Sequence, residues 1–435
     1  MASNDGPARA GRAPLARHGQ LKTRHPLRSI LAVLCVIVGV VAVSATGVGA
    51  YAVWDAANSV VDGAVVLDED EVLPPSIGAI EGGVNVLVVG TDSCEGPNAA
   101  LSGACQLGDT EGERNDVTML VHISDNPRRV TVVSFPRDMI VPIPSCAKED
   151  GSGNYSAMSA QMLNASYMYG GLACTVKTVE ALTGEDIQFA AALRWTGVIN
   201  MSDAIGGVDV CVAGDINDDH TGLHLAAGQS TLMGLEALQF LRIRHGIGDG
   251  SDLGRISNQQ QFMSSMVRKL QSDSVLANPP VLFNLATTAI SQVSQGELTL
   301  SQSLTNPTLM VQIAMAVKDV PYEDIVFIQY PTRYASGDGA SRVLPVTDAA
   351  GVLFAALRDN KALTLTGQAS QGDGVEVTGA ATKPPPATTP TPTTSATPGD
   401  TGVPVEPVVP EERVELPSVI SGQTAAQVTC TQPQK

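Results

Sequence analysis

Aromatic side chains are scarce in this 435-residue chain, at 4%, and charged residues make up only 16%. Positive charge is in short supply: 26 Lys and Arg face 44 Asp and Glu, a formal net charge of −18. A surface so acidic excludes nucleic acid as the partner, because a phosphate backbone demands a basic one. No C-x-x-C spacing occurs among the seven cysteines, which removes zinc-ribbon and thioredoxin-like redox chemistry. No Gly-x-Ser-x-Gly elbow occurs either, so the presence of Ser, His and Asp does not make a serine hydrolase. No internal repeat is found.

What is present is a hydrophobic fraction of 43%, enough to bury the core of one large domain or two ordinary ones. The few cations are unevenly placed. Arg9, Arg12, Arg17, Lys22, Arg24 and Arg28 oppose only Asp5 in residues 1–28, leaving −23 for the remainder. Ile30 to Trp54 follows, with no ionisable side chain except Cys35 and Tyr51. As a helix it would reach roughly 36 Å, long enough to cross a bilayer. Basic flanks stay cytoplasmic, so the expected topology is single-pass, with a cytoplasmic N-terminus and the bulk outside. Ala45, Gly49 and Ala50 keep a cleaved signal peptide open as the alternative. Outside the membrane disulfides are permitted, and six cysteines lie beyond the apolar stretch. Fifteen pairings are possible. Local closeness favours Cys94–Cys105 and Cys146–Cys174, leaving Cys211 with Cys430.

The expected organisation is a basic tail (1–29), a transmembrane helix (30–54), an acidic spacer (55–80), a folded domain (81–366) and a Pro/Thr-rich tail (367–435). Short apolar runs at 85–89, 117–123 and 130–135 read as strands, the last two joined by the turn residues Asp125-Asn126-Pro127. Helical spacing recurs at 174–182, 195–205, 234–241, 256–270, 276–293, 309–317 and 349–358, with strands at 187–193, 208–212 and 324–329. Strands mixed with helices throughout imply an α/β domain. The stretch 379–410, dominated by Pro, Thr, Ala and Val, is expected to stay extended.

A chain poor in arginine places several at strand ends and helix starts. Arg114 and Asp116 precede a strand, Arg137-Asp138 follow one, Arg242, Arg244 and His245 follow a helix, and Asp252 and Arg255 open another, with Gln259 one turn on. In α/β domains such positions gather at one ligand crevice. Arginine binds phosphate oxygens bidentately and keeps its charge, so a converging set would suit pyrophosphate. Asp92 and Asp116 are the metal candidates, since Mg²⁺ favours one or two carboxylates together with phosphate oxygens. Each residue also has a plainer reading: a turn ion pair for Arg137-Asp138, a solvated face for Arg242 and Arg244, a helix N-cap for Asp252, and a structural role for His245.

Eight ordered segments resemble the LytR-CpsA-Psr family of cell-wall ligases. They are Asn-Val-Leu-Val-Val-Gly-Thr-Asp (85–92), Arg-Asn-Asp-Val-Thr-Met-Leu (114–120), Val-Val-Ser-Phe-Pro-Arg-Asp (132–138), Leu-Asn-Ala-Ser-Tyr-Met-Tyr-Gly-Gly (163–171), Thr-Val-Lys-Thr-Val-Glu-Ala-Leu-Thr-Gly (175–184), Ile-Gly-Gly-Val-Asp-Val (205–210), Leu-Arg-Ile-Arg-His-Gly (241–246) and Asp-Leu-Gly-Arg-Ile-Ser-Asn-Gln-Gln-Gln (252–261). The resemblance spans about residues 82–360. It implies a central mixed β-sheet flanked by helices, with a polyprenyl chain held in an apolar tunnel. It further implies Asp92 and Asp116 as ligands of Mg²⁺ or Mn²⁺, and Arg114, Arg137, Arg242, Arg244 and Arg255 around the pyrophosphate, with Asn164 and Gln259 beside them and Asp138 and Asp252 in the catalytic set. The implied activity is transfer of a phosphate-linked glycopolymer from a polyprenyl-pyrophosphate carrier to peptidoglycan. The cysteine loops and Pro/Thr-rich tail look like actinobacterial members, which points to arabinogalactan or a related glycan. Two positions depart from the family pattern: Cys94 stands where an arginine often follows Asp92-Ser93, and Met162 stands where a basic residue often precedes Leu163-Asn164. A carrier hydrolase and a non-catalytic wall sensor are the alternatives that the same residues would serve.

Overall fold

Val84 to Thr91 alternates its side chains between two apolar layers, as a strand buried on both faces must. Leu87 and Val89 enter one core, whereas Val84 and Val86 enter the other. This strand, β1, is an interior strand of the main sheet in a computed structural model of the protein. The structure describes residues 64–67, 76, 83–108, 112–148, 150–272, 275, 279–336, 342–383 and 413–434. The proposed span at 30–54 lies outside these residues. Among the described residues no helix is long and apolar enough to cross a membrane.

In chain order the strands and helices that frame the site begin with β1 (Val84–Thr91), β2 (Asn115–Ile123), β3 (Val130–Phe135), β4 (Ile140–Ile143) and β5 (Met158–Met162). Next come α1 (Gly171–Thr183), β6 (Phe189–Arg194), α2 (Trp195–Ala204), β7 (Val208–Val212), β8 (Gly228–Leu232), α3 (Gly234–Arg242) and α4 (Asp252–Gln271). The remainder are α5 (Pro279–Ser294), β9 (Leu298–Leu300), α6 (Pro307–Lys318), β10 (Ile325–Gln329), β11 (Thr332–Tyr334), β12 (Val343–Pro345), α7 (Thr347–Arg358), β13 (Val375–Ala380), β14 (Gly422–Thr424) and β15 (Gln427–Thr431).

The main sheet has seven strands in the order β9-β6-β1-β2-β3-β10-β14. It is mixed: β1 runs parallel to β6 and antiparallel to β2, while β3 runs antiparallel to β2 and parallel to β10. The hairpin read from Asp125-Asn126-Pro127 is therefore present as β2–β3. One face packs on α1 and α7 through Leu172, Val176, Val179, Leu353, Phe354 and Leu357. The other carries Met119, Val132, Phe189 and Phe327, with Leu309 of α6 and Met263 and Val267 of α4 in the same cluster. A second sheet, β8-β7-β15-β13, adjoins α4.

Two boundaries differ from the sequence reading. The spacer was expected to run to residue 80, yet Val65 bridges Ser301 and donates its amide to Leu300 O at 2.8 Å. The tail expected over 367–435 contributes β13, β14 and β15, each paired within a sheet. Val375, Leu416, Ile420 and Ala425 are buried there. The Pro- and Thr-dense stretch hid these brief apolar anchors, which are too few to register in a composition window. Residues 384–412 lie outside the described set.

All three expected disulfides are formed: Cys94–Cys105, Cys146–Cys174 and Cys211–Cys430. The third joins β7 to β15 across 219 positions of sequence. It fixes the C-terminal strand to the domain.

Candidate active site

The ends of β1, β2 and β3 converge with the start of α4. At the end of β1 the register with β2 shifts between Gly90 and Thr91, a bulge that re-aims the chain. Asp92 then exchanges main-chain contact with Arg114: its amide donates to Arg114 O at 3.1 Å, and its Oδ1 accepts from Arg114 N at 2.7 Å. Arg114 is thus fixed to the site through its backbone.

Arg137, just past β3, is the hub. Its Nη1 donates to Asp116 Oδ1 at 2.6 Å, and its Nε lies 3.5 Å from Asp138 Oδ1 and 3.7 Å from Asp252 Oδ1. Arg255 approaches from α4. Its Nη2 lies 2.6 Å from Asp252 Oδ1 and donates to the Asp116 carbonyl at 3.0 Å. Asp252 therefore sits between two guanidinium groups. It is the first residue of α4, and Ser251 is the N-cap, accepting from Gly254 N at 3.2 Å. The N-cap reading of Asp252 is corrected: its carboxylate is turned to the arginines, one residue into a helix that starts a turn earlier than its apolar spacing showed.

Asn164 belongs to the same frame through its main chain, donating to Arg137 O at 3.1 Å and accepting from Asn115 N at 3.3 Å. Its Oδ1 is buried without a hydrogen-bond partner. Gln259 faces the neighbouring apolar cavity, and its amide is tied to Leu241 O at 2.8 Å.

Arg242 closes α3. Its Nη1 donates to Leu101 O at 3.0 Å, and its guanidinium lies 4.0 Å from the Trp195 ring centroid, a cation–π seat. Leu101 lies inside the loop closed by Cys94–Cys105. The cysteine that replaces the family's usual arginine thus anchors the loop that holds another arginine. Trp195 and the pair Arg194–Glu113, with Nη2 2.7 Å from Oε2, were not singled out from sequence. Arg194 and Trp195 stand at a strand-to-helix junction, the same signal that marked the other arginines.

The electrostatics follow from this crowding. Burial, with Asp116 nearby, pushes Asp92 from 3.8 up to about 7. Burial also pushes Asp116 up, but the charges of Arg137 and Arg255 outweigh it and leave that carboxyl below its ordinary range. Asp138 is raised, chiefly by burial. Arg242 and Arg244 are lowered, first by burial and then by the other cations. Of the two neighbouring carboxyls Asp92 and Asp116, Asp116 therefore holds its charge more firmly.

Two cavities adjoin this cluster. One, of about 350 Å³, is lined by Val88, Leu193, Val198, Met201, Leu238, Leu241, Phe262, Met263, Met266, Leu270 and Leu285, and also by Asp116, Arg242, Arg255 and Gln259. The other, of about 460 Å³, is lined by Asp138, Arg244, Ser251, Asp252, Tyr334 and Arg342 among others. Both fall in the size range of small-ligand sites. The Arg137–Asp116 and Arg137–Asp252 contacts join a residue lining the first to one lining the second.

A metal between Asp92 and Asp116 fits the donor set. Burial first, and the charge of Asp116 second, raise Asp92 toward neutral pH, and a divalent cation would relieve the second of these. Among the described residues no cluster of three or more acidic, His or Cys ligands exists, so the remaining ligands would come from substrate and water.

A mixed α/β domain with an apolar cavity abutting an Arg/Asp cluster is the class that fold and site define. The family profile described as LytR_cpsA_psr family matches residues 56–358, and the chain belongs to that family. It is 29% identical over 294 residues to the cell wall biosynthesis protein LcpA of Corynebacterium glutamicum, covering 63% of this chain and 55% of that one. It is 32% identical over 176 residues to the polyisoprenyl-teichoic acid–peptidoglycan teichoic acid transferase TagU of Bacillus cereus, covering 40% and 53%. The chain spans about half the length of these curated relatives. Among solved structures it is similar to a LytR-Csp2A-Psr enzyme from Actinomyces oris, at 22% identity and a TM-score of 0.44 over 63% of this chain and 90% of that one.

Proposed function

We propose that this protein is a phosphotransferase that moves a glycopolymer from a polyprenyl-pyrophosphate carrier to a hydroxyl of peptidoglycan. The observation that carries the reading is the sharing of Asp116, Arg242, Arg255 and Gln259 between an apolar cavity and a guanidinium cluster. A prenyl tail suits the cavity, and a pyrophosphate suits the arginines. Relatives named for cell-wall biosynthesis and for teichoic acid transfer to peptidoglycan support the same class. Arabinogalactan or a similar wall glycan is the proposed cargo. The proposed location is the outer face of the cell membrane, with residues 30–54 as the anchor and the N-terminus inside.

In this reading the acceptor oxygen bonds to the sugar-proximal phosphorus, the bond from that phosphorus to the bridging oxygen breaks, and polyprenyl phosphate leaves. Asp138 takes the hydroxyl proton, since it borders the cavity of about 460 Å³ and burial raises its carboxyl above the usual range. Arg137, Arg242, Arg244 and Arg255 stabilise the charge that develops on phosphate oxygens. Asp252 holds Arg137 and Arg255 in place, and the Arg114 backbone holds Asp92. Asp92 and Asp116 would hold Mg²⁺ or Mn²⁺, which supplies further charge neutralisation at the pyrophosphate. That addition matters because Asp92, Asp116, Asp138 and Asp252 offset the positive charge of the four cluster arginines.

The test is mass spectrometry of lipids extracted from detergent-purified protein. Wild type is expected to carry polyprenyl phosphates, and Arg242→Ala/Arg244→Ala to lose them. If neither form holds prenyl lipid after incubation with polyprenyl pyrophosphate, the carrier reading fails. If lipid binds and only water accepts the phosphoryl group, the hydrolase reading replaces this one. If lipid binds with no turnover, the sensor does.

A further inference from the structure

The cavity of about 460 Å³ has a mixed polar and apolar lining where its neighbour is almost wholly apolar, and it meets the arginine cluster from another side. Its outer wall is the β11–β12 hairpin. There Tyr334 pairs with Val343, and Ala335 N donates to Arg342 O at 2.9 Å. Val343 also bridges Met139, one residue past Asp138, so the hairpin is fixed to the segment that carries Arg137 and Asp138. Tyr334 and Arg342 both line this cavity, and both are exposed, Tyr334 at 52%. Tyr334 keeps half of its surface in water beside the cavity, so a ligand there can reach its ring. Its face suits the C–H side of a sugar ring, and a guanidinium next to it suits a carboxylate.

We infer that this cavity is the acceptor subsite: it takes a carboxylate-bearing glycan, with a sugar ring on Tyr334, the acid on Arg342 and a hydroxyl directed toward Asp138. The inference rests on the transferase reading for the meaning of "acceptor", but its first test is independent of turnover. The lining assigns the ligand class. Asp138 and Asp252 repel a doubly charged free phosphate more strongly than a singly charged carboxylate. A neutral-to-acidic sugar can place hydroxyls on those carboxylates and its single acid on the exposed Arg342.

The probe is a soluble tetrasaccharide of alternating N-acetylglucosamine and N-acetylmuramic acid. Its binding to the full detergent-solubilised chain is measured by calorimetry for wild type, Tyr334→Ala, Tyr334→Trp and Arg342→Glu. Tyr334→Ala is expected to weaken binding about tenfold, the order of one lost ring stack together with its contact area. Tyr334→Trp is expected to retain binding, and Arg342→Glu to bind the acid-bearing probe more weakly than its carboxyl-reduced form. Prenyl-lipid retention, measured in parallel, is expected to be the same in all four. It tests the carrier reading separately and also reports that the variants are folded. In a transfer assay Tyr334→Ala is expected to raise the acceptor KM and leave the donor KM unchanged. A wild type that binds no tetrasaccharide overturns the assignment, as does a Tyr334→Ala that binds it equally well. A change in donor KM instead of acceptor KM also overturns it, and gives the cavity to the carrier's own glycan.

Discussion

The two cavities differ in what their walls could be read from. The apolar one is built by β1, β6, α2, α3 and α4, elements whose hydrophobic periodicity is plain in the sequence. The mixed one is built mainly by loop and hairpin residues: Pro136, Asp138, Arg244, Gly250, Ser251, Asp252, Tyr334, Arg342 and Val343. The first owes its shape to regular structure, and the second to where short connections are pinned. Arg137 links them through Asp116 on one side and Asp252 on the other, so the comparison is best tested there first.

Arg137→Ala is expected to produce the largest effect, a loss in transfer rate on the order of 10²–10³, as for removal of one transition-state donor. It also leaves Asp116 and Asp252 facing each other with one cation fewer. Stability is expected to fall by up to roughly 3–5 kcal/mol, the range for breaking a buried pair, as read by urea denaturation. Arg137→Lys is expected to recover stability more than rate, since a single ammonium cannot span both carboxylates. Equal recovery of both would show that charge alone suffices.

Val198→Trp, on the apolar side, is expected to abolish prenyl-lipid retention in the mass-spectrometric assay while leaving tetrasaccharide binding intact. Overpacking there should lower stability by about 1–3 kcal/mol. Loss of both ligands together would mean that the cavities are not separable.

Cys211→Ser/Cys430→Ser is expected to destabilise the fold by about 2–5 kcal/mol, as removal of a native disulfide typically does. The Arg244 loop should lose protection from hydrogen exchange first. Gly248 N donates to Gln432 O at 3.0 Å, and Gly246 N to Gln434 Oε1 at 2.9 Å, so the segment after Cys430 holds that loop directly. Uniform loss of protection across the domain would contradict this.

The smallest effect is in pH dependence. Asp92 is raised from 3.8 to about 7, so the folded state binds the extra proton between those values. Its contribution to stability is present at the acidic end and is lost as pH rises through 7. With chelator present, the melting temperature is expected to fall from pH 5 to pH 8, and less so in Asp92→Asn. Mg²⁺ selects the deprotonated carboxyl, so its stabilisation should grow over the same interval. A wild-type slope unchanged by Asp92→Asn would remove Asp92 as the source.

Much of the site was legible because arginines and aspartates recur at strand ends and helix starts, and the family resemblance chose between their plainer readings and a shared site. Asp92, Asp116, Arg137, Asp138, Arg242, Arg244, Asp252 and Arg255 do come together. What stayed hidden has physical causes. Tyr334 and Arg342 lie on strands of three residues or at their edges, too short for periodicity. Trp195 read only as a helix start, because a cation–π seat depends on a partner 47 positions away. Gln427 to Thr431 looked like the end of a Pro/Thr tail, since its partners Val377 and Val212 are remote in sequence. Long-range pairing leaves no local imprint.

The Cys211–Cys430 clasp has a consequence in time. Translation delivers Arg244 long before Cys430, so a nascent chain holds the loop's arginine without the segment that fixes it. The staple also requires an oxidising compartment. Assembly of the arginine cluster would therefore wait until residues 427–434 are made and Cys430 is oxidised onto Cys211.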